Sequence, residues 1–126
     1  MPKVNLKQLD GCYAIVQLPA DAPTPSWWDG PGFCSISRGD DEVSIVCLED
    51  RVPAGVTVDR DWTAFKFLGP FAFGETGIVL SVLRPLSENG IGIFVISTYD
   101  GDHLLLKQDD AAAGKRYLQA AGHRIV

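Results

Sequence analysis

The feature that most constrains the fold is residues 73–107, which read as a helix followed by two strands joined by a tight turn. Asp100 and Gly101 stand between two apolar runs, residues 91–99 and 102–107. An Asp-Gly pair in this position is a strong hairpin signal, because a type I′ turn needs positive φ at both of its central residues. The sequence therefore predicts a β-hairpin with a two-residue turn.

The predicted turn also determines which side chains meet at the tip of the hairpin. With a two-residue turn, Tyr99 lies opposite Asp102, and Thr98 lies opposite His103. A carboxylate, a hydroxyl group and an aromatic ring would then converge at the end of two apolar strands. We therefore expect the functional site at this tip.

The composition is that of an ordinary soluble globular protein, and it excludes several functional classes. Its 126 residues suffice for one compact domain or two very small ones. The net charge of −5 argues against a nucleic-acid-binding protein, which normally carries a basic face. The chain has neither an apolar run long enough to span a bilayer nor the apolar core of a signal peptide. We expect a cytoplasmic protein that binds neither nucleic acid nor membrane.

The three cysteines, Cys12, Cys34 and Cys47, all lie in strand-like runs. No two of them are spaced as Cys-x-x-Cys, and no histidine stands at ligand spacing from them. This pattern favours buried, reduced thiols in a cytoplasmic protein. A zinc site would need closer clustering, so we predict neither a metal nor a cofactor.

The order of the predicted elements indicates two copies of one plan. Strands are predicted at residues 12–18, 33–38, 42–48, 62–71, 91–99, 102–107 and 123–126, with a charged extended segment at 56–61. One helix begins after Gly77 and stops at Asn89-Gly90, and a second is N-capped by Asp109 or Asp110. The first half has strands in the same order, but only short segments where the helices would be.

The second half thus reads strand, helix, strand, strand, helix, strand. With right-handed crossovers, this order gives a four-stranded antiparallel sheet with both helices on one face. We predict an α+β fold of two ferredoxin-like βαββαβ units, a degenerate one at residues 1–61 and a complete one at residues 62–126. In the first unit, Trp27 and Trp28 are expected to form a lid over the sheet.

Residues 77–107, GIVLSVLRPLSENGIGIFVISTYDGDHLLLK, resemble the ACT domains of the aspartate kinase regulatory region. They are still more similar to those of the cytosolic arginine sensors of the CASTOR family. In these proteins a strand ending in Ser-Thr-aromatic is followed by a short turn, an Asp and an apolar strand. The resemblance covers about residues 62–126 well, and the first half only in plan. It implies an ACT fold with a degenerate N-terminal unit.

The resemblance also implies a ligand, a free amino acid held between two side-by-side ACT units. The family's pocket uses the loop before the first helix, the hairpin turn and the helix of the neighbouring unit. By position, these elements supply Glu75, Thr76 and Gly77 from the loop, Thr98, Tyr99 and Asp102 from the hairpin, and Ser81 and Val82 from the neighbour's helix. Since this chain has one good ACT copy, the resemblance implies a homodimer.

The chemistry of these residues suits a zwitterion. Gly77 at a helix N-terminus offers N–H groups and the positive end of the helix dipole to a carboxylate. Asp102 and Glu75 can each pair with an ammonium or a guanidinium group, which favours a cationic ligand such as arginine or lysine. Pro85 has no N–H for the carbonyl of Ser81, so we expect that carbonyl to be free for the ligand's ammonium.

The sequence lacks the patterns of familiar catalytic sites. It has no Ser-His-Asp or Cys-His arrangement with supporting context, no phosphate loop and no cluster of metal ligands. We therefore expect a non-catalytic amino-acid sensor. Two alternatives stay open: a ligand-free module for dimerisation or for docking an unknown protein partner, and an enzyme of unknown type. Each candidate residue also has a structural interpretation, and His103 and His123 are expected to be structural.

Overall fold

The computed structural model of this chain describes residues 2–72 and 74–126. Its strands are β1 (Asn5–Gln8), β2 (Tyr13–Leu18), β3 (Ser35–Arg38), β4 (Val43–Leu48), β5 (Thr57–Leu68), β6 (Phe94–Ser97), β7 (Asp102–Lys107) and β8 (Arg124–Ile125). Its helices are α1 (Ile78–Glu88) and α2 (Gln108–Ala120), with one 3₁₀ turn at Glu49–Arg51. The chain forms two compact units, an N-terminal unit of Asp10–Trp62 and a C-terminal unit of Thr63–Val126 with the residues up to Leu9.

The N-terminal unit is a sheet in the order β3-β4-β2-β5, with every neighbouring pair antiparallel. The first and third strands of this unit, β2 and β4, lie at its centre, as right-handed crossovers require of a ferredoxin-like plan. The two helices of that plan are reduced to a turn near residues 26–28 and the 3₁₀ turn at Glu49–Arg51. The prediction of a degenerate first unit is therefore confirmed.

In the N-terminal unit, apolar side chains cover the face of the sheet on which the two helices would otherwise pack. Val16, Ile45 and Cys47 are at most 1% exposed and form the core of the N-terminal unit together with neighbouring apolar residues. Trp27 and Trp28 pack against this core, which confirms the predicted lid. The expectation of three buried thiols is confirmed for Cys47, whereas Cys12 and Cys34 are half-buried; all three are free.

The C-terminal unit has the strand order β6-β7-β5-β1-β8. Strand β1 pairs antiparallel with β5 and parallel with β8, and so lies between the first and last strands of the βαββαβ series. The sequence pattern does not predict this strand, and it places residues 1–9 in the N-terminal unit of residues 1–61. Three of its four side chains are exposed, so the segment shows little of the apolar pattern by which strands are recognised.

Both helices pack on one face of this sheet, as the ferredoxin-like plan predicts. The core on that face contains Phe65 and Phe67 of β5, Leu104 and Leu106 of β7, and Val82, Leu86 and Leu118 of the two helices. Each of these side chains is at most 1% exposed. The α+β fold with ferredoxin-like units, predicted from the order of the elements, is thus confirmed.

The first helix begins and ends where the sequence predicts. Gly77 is its N-cap with φ of 80°, in the left-handed region that glycine adopts without strain. Asn89 is its C-cap, and Gly90 follows with φ of 76°. The N–H of Ile91 then donates to the carbonyl of Leu86 at 3.0 Å, which closes the end of the helix as in a Schellman-type motif.

Other boundaries differ from the prediction. Helix α2 has Lys107 as its N-cap, so the prediction of Asp109 or Asp110 in that position is wrong. Both aspartates instead lie in the first turn, where their charges interact favourably with the helix dipole. Residues 56–61 and 62–71, predicted as two segments, are largely the single strand β5. Neither α1 nor α2 has the length and hydropathy that a membrane-spanning helix requires.

Candidate functional site

The tip of the β6–β7 hairpin differs from the predicted tip by its register. Ser97 pairs with Asp102, and Ile96 pairs with His103. The N–H of Thr98 donates to the carbonyl of Gly101 at 2.6 Å, and the Thr98 hydroxyl donates to the same carbonyl at 3.1 Å. The predicted pairing of the threonine with the histidine, and of the neighbouring tyrosine with the aspartate, is therefore wrong.

The new register follows from the backbone of the turn. A type I′ turn needs positive φ at both central residues. Among the residues that the structure describes, Asp61 is the one non-glycine residue with positive φ, and Gly101 is not among the positive-φ glycines. The central residues are instead Tyr99 and Asp100, and the Thr98 hydroxyl stabilises this alternative through its bond across the turn.

This register places Ser97, a residue that the sequence analysis missed, next to the predicted carboxylate. The Ser97 hydroxyl donates to Oδ1 of Asp102. Tyr99 is 81% exposed and stands at the outer end of the turn. The missed signal was the Thr-x-x-Gly spacing, which closes a turn one residue earlier than the Asp-Gly pair suggests.

The loop before α1 lies on the other side of the site. Oε1 of Glu75 accepts the N–H of Ala72 at 2.8 Å, and the N–H of Glu75 donates to the Ala72 carbonyl at 3.0 Å. These two bonds fix the loop that leads into the helix. Gly77 makes no side-chain cap, and the first turn of α1 contains no acidic residue. The N–H groups of that turn are therefore open to an anion.

The loop, the helix start and the hairpin tip enclose a cleft of about 380 Å³. Five of the predicted site residues line it: Glu75, Gly77, Thr98, Tyr99 and Asp102. Ile78, Val79, Leu80 and Ser97 line it as well, along with other residues of the loop and the turn. Thr76 is exposed but is not part of the lining.

The remaining two predicted residues lie in the interior of the same unit. Ser81 is 3% exposed and Val82 is fully buried, so neither side chain faces a neighbouring molecule. The prediction of a free Ser81 carbonyl is wrong, because Nε2 of His123 lies 2.8 Å from that oxygen. Nδ1 of His123 accepts the N–H of Val4 at 3.0 Å, which leaves Nε2–H as the donor to Ser81. His123 is thus structural, as predicted.

A second cleft, of about 690 Å³, shares the hairpin tip and extends along the end of β5. Lys66 and His103 line it. Burial and the positive charge of Lys66, opposed by the Asp102 carboxylate, together lower the pKa of His103 from 6.5 to about 4. The imidazole is therefore uncharged at neutral pH, and the second cleft has no histidine cation to offer an anionic ligand.

Outside these clefts, Cys12, Glu49 and Asp61 bring three possible metal-ligand atoms within 4.8 Å of one another in the N-terminal unit. Oε1 of Glu49 already accepts the N–H of Asp61 at 3.3 Å and lies 3.7 Å from the Arg60 guanidinium. Burial, followed by the hydrogen bond with Glu49, raises the pKa of the Cys12 thiol, which disfavours the thiolate that a metal needs. This group is a hydrogen-bonded cluster that the sequence spacing could not reveal.

Comparison with known proteins identifies two family models along the chain. A model of the ACT domain matches residues 57–119, and a model of an N-terminal domain matches residues 11–55. The candidate cleft lies within the span of the ACT model. No curated protein sequence matches this chain.

Solved structures agree with this fold. A crystal structure of a protein from Agobacterium tumefaciens is 57% identical, covers 100% of this chain and 94% of its own, and has a TM-score of 0.96. A Vibrio cholerae protein of unknown function, described as a possible transport protein, is 14% identical over 94% of this chain and 90% of its own, with a TM-score of 0.74. Clostridium acetobutylicum aspartate kinase is 13% identical, with a TM-score of 0.66, over 92% of this chain and 33% of the kinase.

Proposed function

Because this chain belongs to the ACT domain family, we propose that it is a non-catalytic regulatory module that binds a free amino acid between ACT units of a homodimer. The observation that carries the proposal is the juxtaposition of an uncapped helix N-terminus and three carboxylates in one cleft. The cleft volume of about 380 Å³ falls within the range of about 300–1,000 Å³ typical of small-molecule sites.

In this proposal the two ends of the amino acid bind to opposite walls of the cleft. The ligand carboxylate accepts N–H groups from the first turn of α1, beside Gly77, where the helix dipole is favourable. The ligand ammonium pairs with Asp102, whose Oδ1 is held by Ser97 and whose second oxygen is left for the ligand. Glu75 fixes the loop through one oxygen and turns its remaining oxygen to the same ligand.

The charge of the cleft also bears on the class of amino acid. Glu75, Asp100 and Asp102 supply three carboxylates to the lining, and the described residues of the lining include no lysine or arginine. One carboxylate is enough for the ammonium, so the others are available to a cationic side chain. Arginine and lysine are therefore the proposed ligands.

The second subunit is proposed to close the open side of the cleft. Leu80 is 56% exposed and Tyr99 is 81% exposed, and both line the cleft. Large apolar side chains exposed together at a rim are typical of an interface. In a symmetric dimer each copy would bury the same pair of side chains. Ser81 and Val82 are buried and cannot reach a neighbouring subunit. We propose that the neighbour contributes Leu80, on the exposed face of its α1, in their place.

The alternative is a ligand-free ACT module that dimerises or docks another protein. It is favoured by the bonds that Glu75, Thr98 and Asp102 already make within their own unit, since these bonds give each residue a structural role. The two functions differ in whether a free amino acid stabilises the protein, so ligand binding distinguishes them.

We expect arginine or lysine, in a panel of the twenty amino acids, to raise the melting temperature. A ligand at one hundred times its dissociation constant should add about 2.7 kcal/mol of stability. Asp102→Ala should abolish the shift because the ammonium loses its partner. Asp41→Ala, which removes an exposed turn carboxylate in the N-terminal unit, is the matched control and should leave the shift intact. If no amino acid changes the melting temperature of the wild type, the result contradicts the sensor function and favours the docking function.

We also expect the protein to sediment as a dimer at micromolar concentration and Leu80→Glu to sediment as a monomer. The substitution places a charge in the proposed apolar contact, while the exposed position of Leu80 leaves the fold intact. The monomeric variant should also lose the response to amino acids. A wild-type monomer that still binds an amino acid would contradict the shared pocket and leave a site complete within one chain.

A further inference from the structure

A pair of cysteines in the N-terminal unit lies outside the candidate site and has no role in the proposed function. Strands β3 and β4 pair antiparallel, with Ser35 opposite Val46. Continuing this register by one residue places Cys34 opposite Cys47. Directly opposed residues of antiparallel strands have Cα atoms about 4.5–5.5 Å apart, within the range of about 4.4–6.8 Å that a disulfide spans.

The two thiols differ in exposure and in their surroundings. Cys34 is half-buried and reachable from solvent, whereas Cys47 is fully buried in the core of the unit. Burial raises the pKa of the Cys47 thiol, the charge of Arg51 opposes this, and Cys34 raises it further. Side chains of directly opposed residues point to the same face of a sheet, so the register places the two sulfur groups on one face.

The Arg51 guanidinium is fixed against the outer thiol. Its Nη1 donates to Sγ of Cys34 at 3.1 Å and to the carbonyl of Trp28 at 3.4 Å, and its Nη2 donates to the carbonyl of Pro31. This contact fixes the Cys34 sulfur beside a cation, the kind of surroundings in which reactive cysteines are found. Cys47 lies in the apolar interior, where a thiol is protected from direct oxidation.

We propose that Cys34 and Cys47 form a peroxide-sensitive dithiol, in which Cys34 reacts first and Cys47 resolves the product. In the first step Sγ of Cys34 attacks hydrogen peroxide and the O–O bond breaks. Cys34 becomes a sulfenic acid, and the leaving hydroxide departs as water with the thiol proton. In the second step Sγ of Cys47 attacks Sγ of Cys34, the S–O bond breaks, and the hydroxyl leaves as water with the Cys47 proton. Two electrons pass from the thiols to the peroxide, and one disulfide forms.

The disulfide would act on the edge of the N-terminal sheet. Strand β3 is the edge strand of the order β3-β4-β2-β5 and has only the four residues Ser35–Arg38. A covalent link at its first end would tie it to β4. The oxidised protein would therefore exchange the amide hydrogens of β3 more slowly than the reduced protein.

The test is to treat the reduced full-length protein with hydrogen peroxide and follow its thiols by chemical titration and peptide mass spectrometry. The number of free thiols should fall from three to one. The intact mass should fall by two hydrogen atoms, and a peptide linking Cys34 to Cys47 should appear. Cys47→Ser should stop at a sulfenic acid on Cys34 that dimedone traps.

Cys12→Ser is the matched control, because Cys12 is also half-buried but has no cross-strand cysteine. This variant should form the disulfide at the wild-type rate, whereas Arg51→Lys should form it severalfold more slowly. Three results would each overturn the proposal: oxidation of Cys12 as fast as Cys34 in the wild type, three unreacted thiols, or disulfides that form only between molecules. The wild-type peptide map gives this answer even if a core variant fails to fold.

Discussion

His123→Ala is expected to lower the free energy of unfolding by about 2–6 kcal/mol, because two buried backbone groups would each lose their partner at about 1–3 kcal/mol. Nδ1 of His123 accepts the N–H of Val4, and Nε2 lies 2.8 Å from the carbonyl of Ser81. The ring is 4% exposed, so water cannot replace it without entering the core. Chemical denaturation of the wild type and the variant measures the difference.

A substitution at Pro85 tests whether His123 replaces a missing helical hydrogen bond. A helix residue four positions after Ser81 would normally donate its N–H to the Ser81 carbonyl, and proline cannot. His123, which lies 42 residues after Ser81 in the chain, supplies the missing donor. In the His123→Ala background, Pro85→Ala should therefore recover part of the lost stability, since it restores the helical donor. Equal effects of Pro85→Ala with and without His123 would contradict the link between the two residues.

The second large effect is a loss of stability in mild acid. Burial and the charge of Lys66 hold the pKa of His103 at about 4 in the folded protein, against 6.5 for the unfolded chain. Between these two pH values the unfolded chain binds a proton that the folded protein does not, so protonation favours unfolding. We expect the free energy of unfolding to fall as pH drops from 6.5 towards 4, by up to about 3 kcal/mol at 1.36 kcal/mol per pKa unit.

His103→Gln separates this effect from the titration of carboxylates. Glutamine keeps a polar side chain of similar size but cannot take up the proton. The difference in unfolding free energy between wild type and variant should change between pH 6.5 and pH 4 and stay constant above that range. Urea denaturation at a series of pH values measures it. Parallel pH profiles for the two proteins would show that the imidazole does not titrate in this window.

Local signals in the sequence predicted the elements of the C-terminal unit well. Helix α1 begins at Gly77 and ends at Asn89 because a left-handed glycine and a C-cap asparagine act within a few residues of the ends they define. The hairpin was predicted for the same reason, since two apolar runs flank a turn. Its register was not, because the bonds of Thr98 across the turn outweigh the preference of an Asp-Gly pair.

The parts that the sequence did not reveal depend on contacts between distant residues. Strand β1 exposes three of its four side chains and exists because β5 and β8 flank it. The Ser81 carbonyl was expected to be free because Pro85, four residues further on, has no N–H to donate to it. Glu75 and Asp102, by contrast, were placed in one cleft correctly, because each is adjacent to a boundary that the sequence predicts.

The insertion of β1 has a practical consequence for anyone who wishes to study the ACT unit in isolation. A fragment cut between the two family models would begin near residue 57 and would lack Asn5–Gln8. It would leave β8 without its neighbour and expose the hydrogen-bonding groups along one side of β5. A faithful minimal version has to carry the opening segment with it, for example by a circular permutation that joins that segment after β8.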